Sequence, residues 1–413
     1  KTYIGRLNAV ENIKEIDLHV EEVTGEDKTI EIVVDIFNMV NSGGTKLSKG
    51  DLALAKICTL WPEARKTMRD YLAQWNKAGF NFSLEWLLRN ANAILTGEAF
   101  FDALENVSAA DFQKGLAEAR NNSNYLLNMI SGRLGLDHDR VLGGRYAFPV
   151  MARYLSLHGG KISDARERDR LLYWYVHSFL WGRFAGATES TLSKDLKVLE
   201  PIDGALDRLI EQLRLSRGDL TVRPENFAGW SLGARFYPMV YLLTRVYNAL
   251  DWGSGVPLSA NLLGKLNALQ IHHIFPKSLL YDYGYSKAKV NAIANYCFLT
   301  QDTNLKISNT KPEIYLPEVE KRFPGALASQ WVPADPKLWK MENYTAFLAE
   351  RRKLLAEAAK RFLDELLTGS AAIPAMIDYS QALAVSERTQ LISGDTQELI
   401  DWIKENHLPD QQY

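Results

Sequence analysis

Apolar positions recur at three- and four-residue steps along most of the chain, the spacing of helices that bury one face. Ile30, Val33, Val34, Phe37 and Val40 make one such stripe, closed by the breaker run Asn41-Ser-Gly-Gly44. Ser48 and Asp51 suit the start of a second helix, which continues through Leu52, Ala55, Lys56 and Thr59 toward Pro62. Residues 63–245 read as a succession of helices with short polar joints. Ser83 precedes the run Leu84–Leu95, Ser108 and Asp111 open another helix, and Asn121–Asn124 is read as the start of a Tyr125–Leu134 helix. Leu171–Phe184 is aromatic on all sides, which predicts a buried central helix. Residues 1–28 are mixed and charged, with a short strand predicted at Ile16–Val23 and a turn at Gly25–Lys28. No fixed-period repeat is present, which argues against a solenoid.

The texture changes after Gly253-Ser-Gly-Val-Pro257. Leu269–Ile274 and Tyr296–Thr300 have the β-branched and aromatic composition of strands. From Pro333 the chain is helical again, with long amphipathic spacing over Glu342–Leu367 and a short helix predicted at Thr396–Asn406. Arg351-Arg-Lys353 and Lys360-Arg361 fall on that long helix and read as a solvated face. The fold class predicted is mainly α.

A length of 413 residues suggests two to three domains, and 46% apolar with 24% charged residues supports full cores. The formal charge of −2 excludes a histone-like polycation, so nucleic-acid contact requires a local patch. Two isolated cysteines, Cys58 and Cys297, exclude a disulfide framework or a Cys-x-x-Cys zinc site. No apolar run approaches the roughly 20 residues of a membrane span. The chain begins at Lys1, in sequence that reads as mid-domain, without an initiating Met or a signal-peptide pattern; it is read as part of a longer, soluble, cytoplasmic protein without a membrane partner.

Chemistry concentrates in Gln270-Ile-His-His-Ile-Phe-Pro-Lys-Ser278, Ala294-Asn-Tyr-Cys-Phe-Leu-Thr300 and Thr303-Asn-Leu-Lys-Ile-Ser308. Adjacent histidines on a strand face opposite ways, so joint work by His272 and His273 requires a bend at the strand end, where Pro276 stops the ladder. Phosphodiester hydrolysis needs a proton acceptor effective near neutral pH, for which His is suited, and a cation to balance the leaving oxygen. Residues 262–312 hold six lysines against two aspartates. Lys277, Lys306 and Lys311, with Lys287 and Lys289, give the footprint a DNA backbone needs.

These segments resemble the HNH, or His-Me finger, nuclease motif, a β-hairpin and helix gripping one divalent metal. The resemblance implies a small ββα-metal module, with His272 and Asn304 as metal ligands, His273 as general base, and Asn295 tying down the loop that orients that base. His272 stands where Asp is commoner, so besides Mg the metal expected includes Mn or another transition metal.

A second resemblance lies upstream. Ile36-Phe-Asn-Met-Val-Asn-Ser-Gly-Gly-Thr-Lys-Leu-Ser48 with Asp51-Leu52, and Arg183-Phe-Ala-Gly-Ala-Thr-Glu-Ser-Thr191 with Asp195, are similar to segments of GmrSD-type restriction proteins. In these a ParB/sulfiredoxin-like domain precedes a helical region and an HNH module. The resemblance implies a remnant of the regulatory domain over 1–62, a helical domain over 63–252, the nuclease module over 253–330 and a C-terminal helical segment over 331–413. Asn41, Gly43 and Gly44 are read either as a helix C-cap and turn or as a ligand loop of consecutive backbone N–H groups. The family's upstream Asp-Gly-Gln-Gln-Arg signature is missing, so nucleotide is expected as a partner of the full-length protein only. The function expected is metal-dependent endonucleolytic cleavage of DNA, modified DNA included, in a modification-dependent or phage-defence restriction system, with homo-oligomerisation open. The alternative is a non-catalytic DNA-binding or assembly subunit that retains the HNH shell. Arg183 and Glu189 are read as an ion pair, His177 as a satisfied core histidine, and His138 and His158 as loop residues without metal-ligand partners.

Overall fold

A computed structural model describes residues 2–16, 36, 49–259 and 269–369. The strand expected after Ile16, the turn at Gly25–Lys28, the Ile30–Val40 stripe apart from Ile36, the loop residues Asn41, Gly43 and Gly44, the cap Ser48 and the Thr396–Asn406 helix lie outside the described residues.

The described chain is mainly α-helical. Helix α1 spans Thr2–Glu11, α2 Lys49–Leu60, α3 Ala64–Lys77, α4 Leu84–Thr96, α5 Ala109–Leu134, α6 Phe148–Leu157, α7 Ala165–Leu180, α8 Thr188–Lys197, α9 Ala205–Arg217 and α10 Tyr237–Val246. Local chemistry sets several of these boundaries. The Ser83 hydroxyl accepts from the Trp86 amide at 3.1 Å, and Gly97, with φ of 70°, ends the same helix. Ser108 likewise accepts from the Asp111 amide at 3.1 Å.

No new helix begins at Asn121–Asn124. Helix α5 runs unbroken through these residues because their polar side chains find partners on neighbouring elements. The Asn122 amide donates to the Ala152 carbonyl at 3.1 Å, and Asn124 accepts from the Trp75 indole at 2.7 Å. Helix α7 is buried as expected, with every residue from Leu171 to Leu180 inside, but it ends at Leu180 and Trp181–Phe184 turn away from it.

After α10 comes a small antiparallel ribbon. Strand β1, Gln270–His273, pairs with β2, Tyr296–Leu299, in a register that sets His272 across from Cys297 and His273 across from Tyr296. Short helices α11, Lys277–Asp282, and α12, Lys287–Val290, fill the connection. Helices α13, Gln301–Ile307, and α14, Pro312–Arg322, follow β2; α15, Ala326–Ser329, leads on to the long α16, Tyr344–Thr368. One buried cluster runs from Leu54 to Leu366, so the ribbon shares its core with the helices. Tyr241 of α10 meets Phe298 of β2 edge-on at 4.9 Å. Among the described residues, no helix is long and apolar enough to cross a membrane.

Arg351 departs from the solvated face expected for its helix, because it is fully buried. Its guanidinium donates to the Ala294 carbonyl at 2.7 Å and to the Gln330 carbonyl at 3.1 Å. The stripe pattern misplaces it because long-range carbonyl partners, unseen in local spacing, make burial of the cation tolerable. Burial lowers its pKa to about 10, so it stays charged at neutral pH.

Arg351→Met keeps much of the stem and removes the donors. Leaving the two carbonyls unpaired should destabilise the fold by on the order of 2 kcal/mol. A lower urea midpoint and faster hydrogen exchange at the Phe275 amide are expected. An unchanged or raised midpoint would show that relief of the buried charge outweighs the lost bonds.

Candidate active site

The ribbon ends at His273, and the chain bends at once through Ile274 and Phe275. Asn295 makes that bend. Its side-chain oxygen accepts from the Phe275 amide at 2.9 Å, and its amide donates to the Phe275 carbonyl at 3.0 Å and the Val290 carbonyl at 3.3 Å. Its own carbonyl takes the Ile274 amide at 2.9 Å. Asn295 is fully buried, so these bonds are also its only escape from an unpaired polar core.

His272 and Asn304 are brought together across the ribbon and α13. Nδ1 of His272 lies 2.8 Å from Oδ1 of Asn304, and Nε2 lies 3.4 Å from the Tyr315 hydroxyl on α14. Trp252 packs edge-on against the His272 ring at 5.8 Å. Burial lowers the pKa of His272 to about 4, against a smaller opposing effect of the Asn304 contact, so the imidazole is neutral near pH 7.

His273 has different neighbours. Its ring meets Tyr296 at 4.8 Å, and its Nε2 is buried without a hydrogen-bond partner among the described residues. Burial first, then the charge of Lys277, lowers its pKa to about 3, while the Asn291 side chain pulls the other way. The two rings thus contact separate sets of residues, as period-two alternation requires. Lys277, Lys306 and Lys311 are all exposed, and none forms an ion pair among the described residues.

Asn304 is placed by a residue that sequence reading passes over. Asp251, fully buried, accepts from the Thr300 amide at 2.9 Å, the Thr300 hydroxyl at 3.0 Å and the Thr303 hydroxyl at 2.5 Å. It also takes the Gly253 and Ser254 amides and the Ser254 hydroxyl. Burial pushes its carboxyl up, but these bonds outweigh it and hold the group below the ordinary carboxylate range. A Cβ on Gly253 would stand 2.3 Å from the Thr303 hydroxyl, so only glycine lets this loop lie under α13. The signal was present in Asp251-Trp-Gly-Ser-Gly255, an Asx-turn composition, but the far partner was not.

Other sequence readings resolve locally. Arg183 pairs with buried Asp195, its Nε donating at 2.6 Å, while Glu189 lies 3.4 Å from Arg89, so the expected Arg183–Glu189 pair is not made. The carboxylate four residues further on from Thr191 offers a bidentate geometry that Glu189 does not. His177 is only half satisfied: Nδ1 accepts from the Trp181 indole at 2.9 Å, and buried Nε2 has no partner among the described residues. His158 sits 2.9 Å from Glu167.

Among the described residues, no group of three or more His, Cys, Asp or Glu side chains is placed to hold a metal ion. The His272–Asn304 pair is a smaller donor set, one imidazole nitrogen and one amide oxygen converging at 2.8 Å. The two atoms are hydrogen-bonded to each other, and an imidazole nitrogen and an amide oxygen are donor types that a borderline divalent ion accepts.

No known family model matches the chain. It is similar to an uncharacterized protein, MJ0686, of Methanocaldococcus jannaschii, with 23% identity over 328 residues covering 71% of this chain and 50% of that protein. The chain therefore spans about half the length of the relative it matches.

The buried histidines give the fold a pH dependence. His177, like His273, is held down to about 3 by burial, below the ordinary imidazole value. As pH falls below that value the unfolded chain takes up protons that the native state refuses, so stability is full above it and is lost toward acid. For His177 the loss should reach about 2 kcal/mol between roughly pH 7 and pH 5, read from urea midpoints. His177→Gln should reduce the slope by about one proton. Equal midpoints at the two pH values would mean that these rings protonate inside the fold.

Proposed function

We propose that the chain is a metal-dependent DNA endonuclease of the HNH type, serving a modification-dependent or phage-defence restriction system. The observation that carries the reading is the 2.8 Å approach of His272 Nδ1 to Asn304 Oδ1 on a strand–strand–helix unit, with His273 next along the strand. The cellular role rests on the sequence resemblance.

In this reading His272 and Asn304 would hold one divalent ion, which would supply Lewis acidity and a counter-charge for the leaving oxygen. Both residues are neutral and would leave the charge of such an ion available to the phosphate. His273 takes the proton from the attacking water. Its imidazole is neutral at physiological pH and its buried Nε2 has no partner among the described residues; the burial that holds its pKa down to about 3 also makes it a weaker proton acceptor than a free imidazole. Asn295 fixes the bend after His273 and so holds the base in place. Lys277, Lys306 and Lys311 bind backbone phosphates at the rim, where exposure leaves them free to release counter-ions.

Nicking of supercoiled plasmid with Mg or Mn tests the reading. Cleavage should stop with EDTA and return with added metal. His273→Ala should lower the rate by about 10²–10⁴ without loss of DNA binding. Asn304→Ala should raise the metal concentration needed for half-maximal cleavage. Cleavage that survives exhaustive chelation, or a His273→Ala protein as active as wild type, counts against the site. DNA binding without any cleavage selects the non-catalytic subunit instead.

A further inference from the structure

The loop between the 3₁₀ turn Pro224–Ala228 and α10 runs along one side of the ribbon's connection. The Ser231 amide donates to the Asn291 carbonyl at 3.0 Å, and the Ile293 amide donates to the Gly229 carbonyl at 3.0 Å. Trp230 itself makes an isolated antiparallel bridge to Ala292. Asn291 is the residue whose side chain hydrogen-bonds His273, so this loop lies beside the proposed base. Ser231 has φ of 67°, a conformation that a residue with a side chain adopts only where its surroundings impose it. Here they do. Besides the bond to Asn291, the Ser231 hydroxyl accepts from the Gly233 amide at 3.3 Å, and its carbonyl accepts from the Ala234 amide at 3.2 Å.

The backbone of the loop is pinned, yet the two large apolar side chains flanking Ser231 stay out of the core. Trp230 is 47% exposed and Leu232 46%, while Phe236 and Tyr237, which follow, are inside. Beside them the charge is positive: Lys287 and Lys289 are exposed on α12, the helix that ends at Asn291. A half-exposed indole on a fixed backbone, next to cations, has the composition of a platform on which a nucleobase stacks, the cations holding the phosphates to either side. We infer that Trp230 is a stacking platform for an unpaired base of the DNA strand that passes His273. The inference rests on DNA as the substrate of the proposed function and adds to it a contact that reads a base face. Because the loop is already ordered by its bonds to Asn291 and Ile293, little backbone freedom is lost when the base arrives.

The experiment has two readings on the full chain, both in EDTA so that binding is seen without cleavage. By fluorescence anisotropy, Trp230→Ala should bind a labelled oligothymidylate roughly 5–140-fold more weakly than wild type. Trp230→Phe, which keeps a ring, should recover most of that loss, and the salt dependence should not change because no phosphate contact is removed. The same oligonucleotide paired with oligoadenylate should lose less, since its bases are already stacked. In the second reading, oligothymidylate carrying 5-iodouracil is photo-crosslinked to wild type, and the adduct should map to Trp230 by mass spectrometry; this reading decides if Trp230→Ala fails to fold. A folded Trp230→Ala protein with wild-type affinity, an equal loss in Trp230→Phe or on the duplex, or a crosslink only elsewhere overturns the inference. Wild type that holds the single strand through Trp230 yet never cuts DNA upholds the platform while the nuclease reading falls. Metal-dependent cleavage by a protein whose DNA affinity ignores Trp230→Ala does the reverse, and no binding to either DNA overturns both.

Discussion

Two strands of four residues each cannot hold a shape in water, because so short a hairpin buries too little to offset the ordering of its backbone. The β1–β2 ribbon is stable only as part of the helical body, and the candidate site inherits its geometry from those supports. The Gln330 amide donates to the Phe298 carbonyl at 2.7 Å, and Arg351 ties the Gln330 and Ala294 carbonyls to α16. Asp251 holds the first turn of α13 against the loop after α10. Remove any of these and the distance between His272 and Asn304 is no longer fixed by anything local.

The interior of the site is built from neutral polar groups: two imidazoles, two asparagines, a tyrosine and two threonines. Its buried ions are Asp251 and Arg351, both fully buried and both bonded to neutral partners rather than to each other. Neutral groups can be desolvated with one or two hydrogen bonds each, whereas an unpaired ion inside would be far more costly. Exposed positive charge in this part of the chain is left to Lys277, Lys306 and Lys311. A site of this kind presents little fixed charge of its own, which suits the proposed pairing of a divalent ion with a phosphate.

Much of the local structure was legible in the residues. Ser83 and Ser108 marked helix starts because capping is settled within three positions. The composition around His272 and Tyr296 marked the strands, and the all-round apolar run marked α7 as buried. Asn121–Asn124 misled because asparagine's preference for caps is overridden when Ala152 and Trp75 supply partners from other helices. Arg351 misled because an amphipathic stripe says which face is apolar, not whether a cation on its edge will find carbonyls.

The sequence by itself determined the helical class, the positions of most elements, the local excess of lysine, and the ordered run of His272, His273, Asn295 and Asn304. These follow from periodicity and spacing, which act between residues a few positions apart. The tertiary structure alone decided that His272 Nδ1 meets Asn304, that Arg183 takes Asp195 and not Glu189, and that Asp251, Tyr315, Gln330 and Arg351 converge on the ribbon. Buried hydrogen-bond partners are chosen by which groups the packed core leaves unsatisfied, and that choice exists only once elements distant in the chain have been brought together.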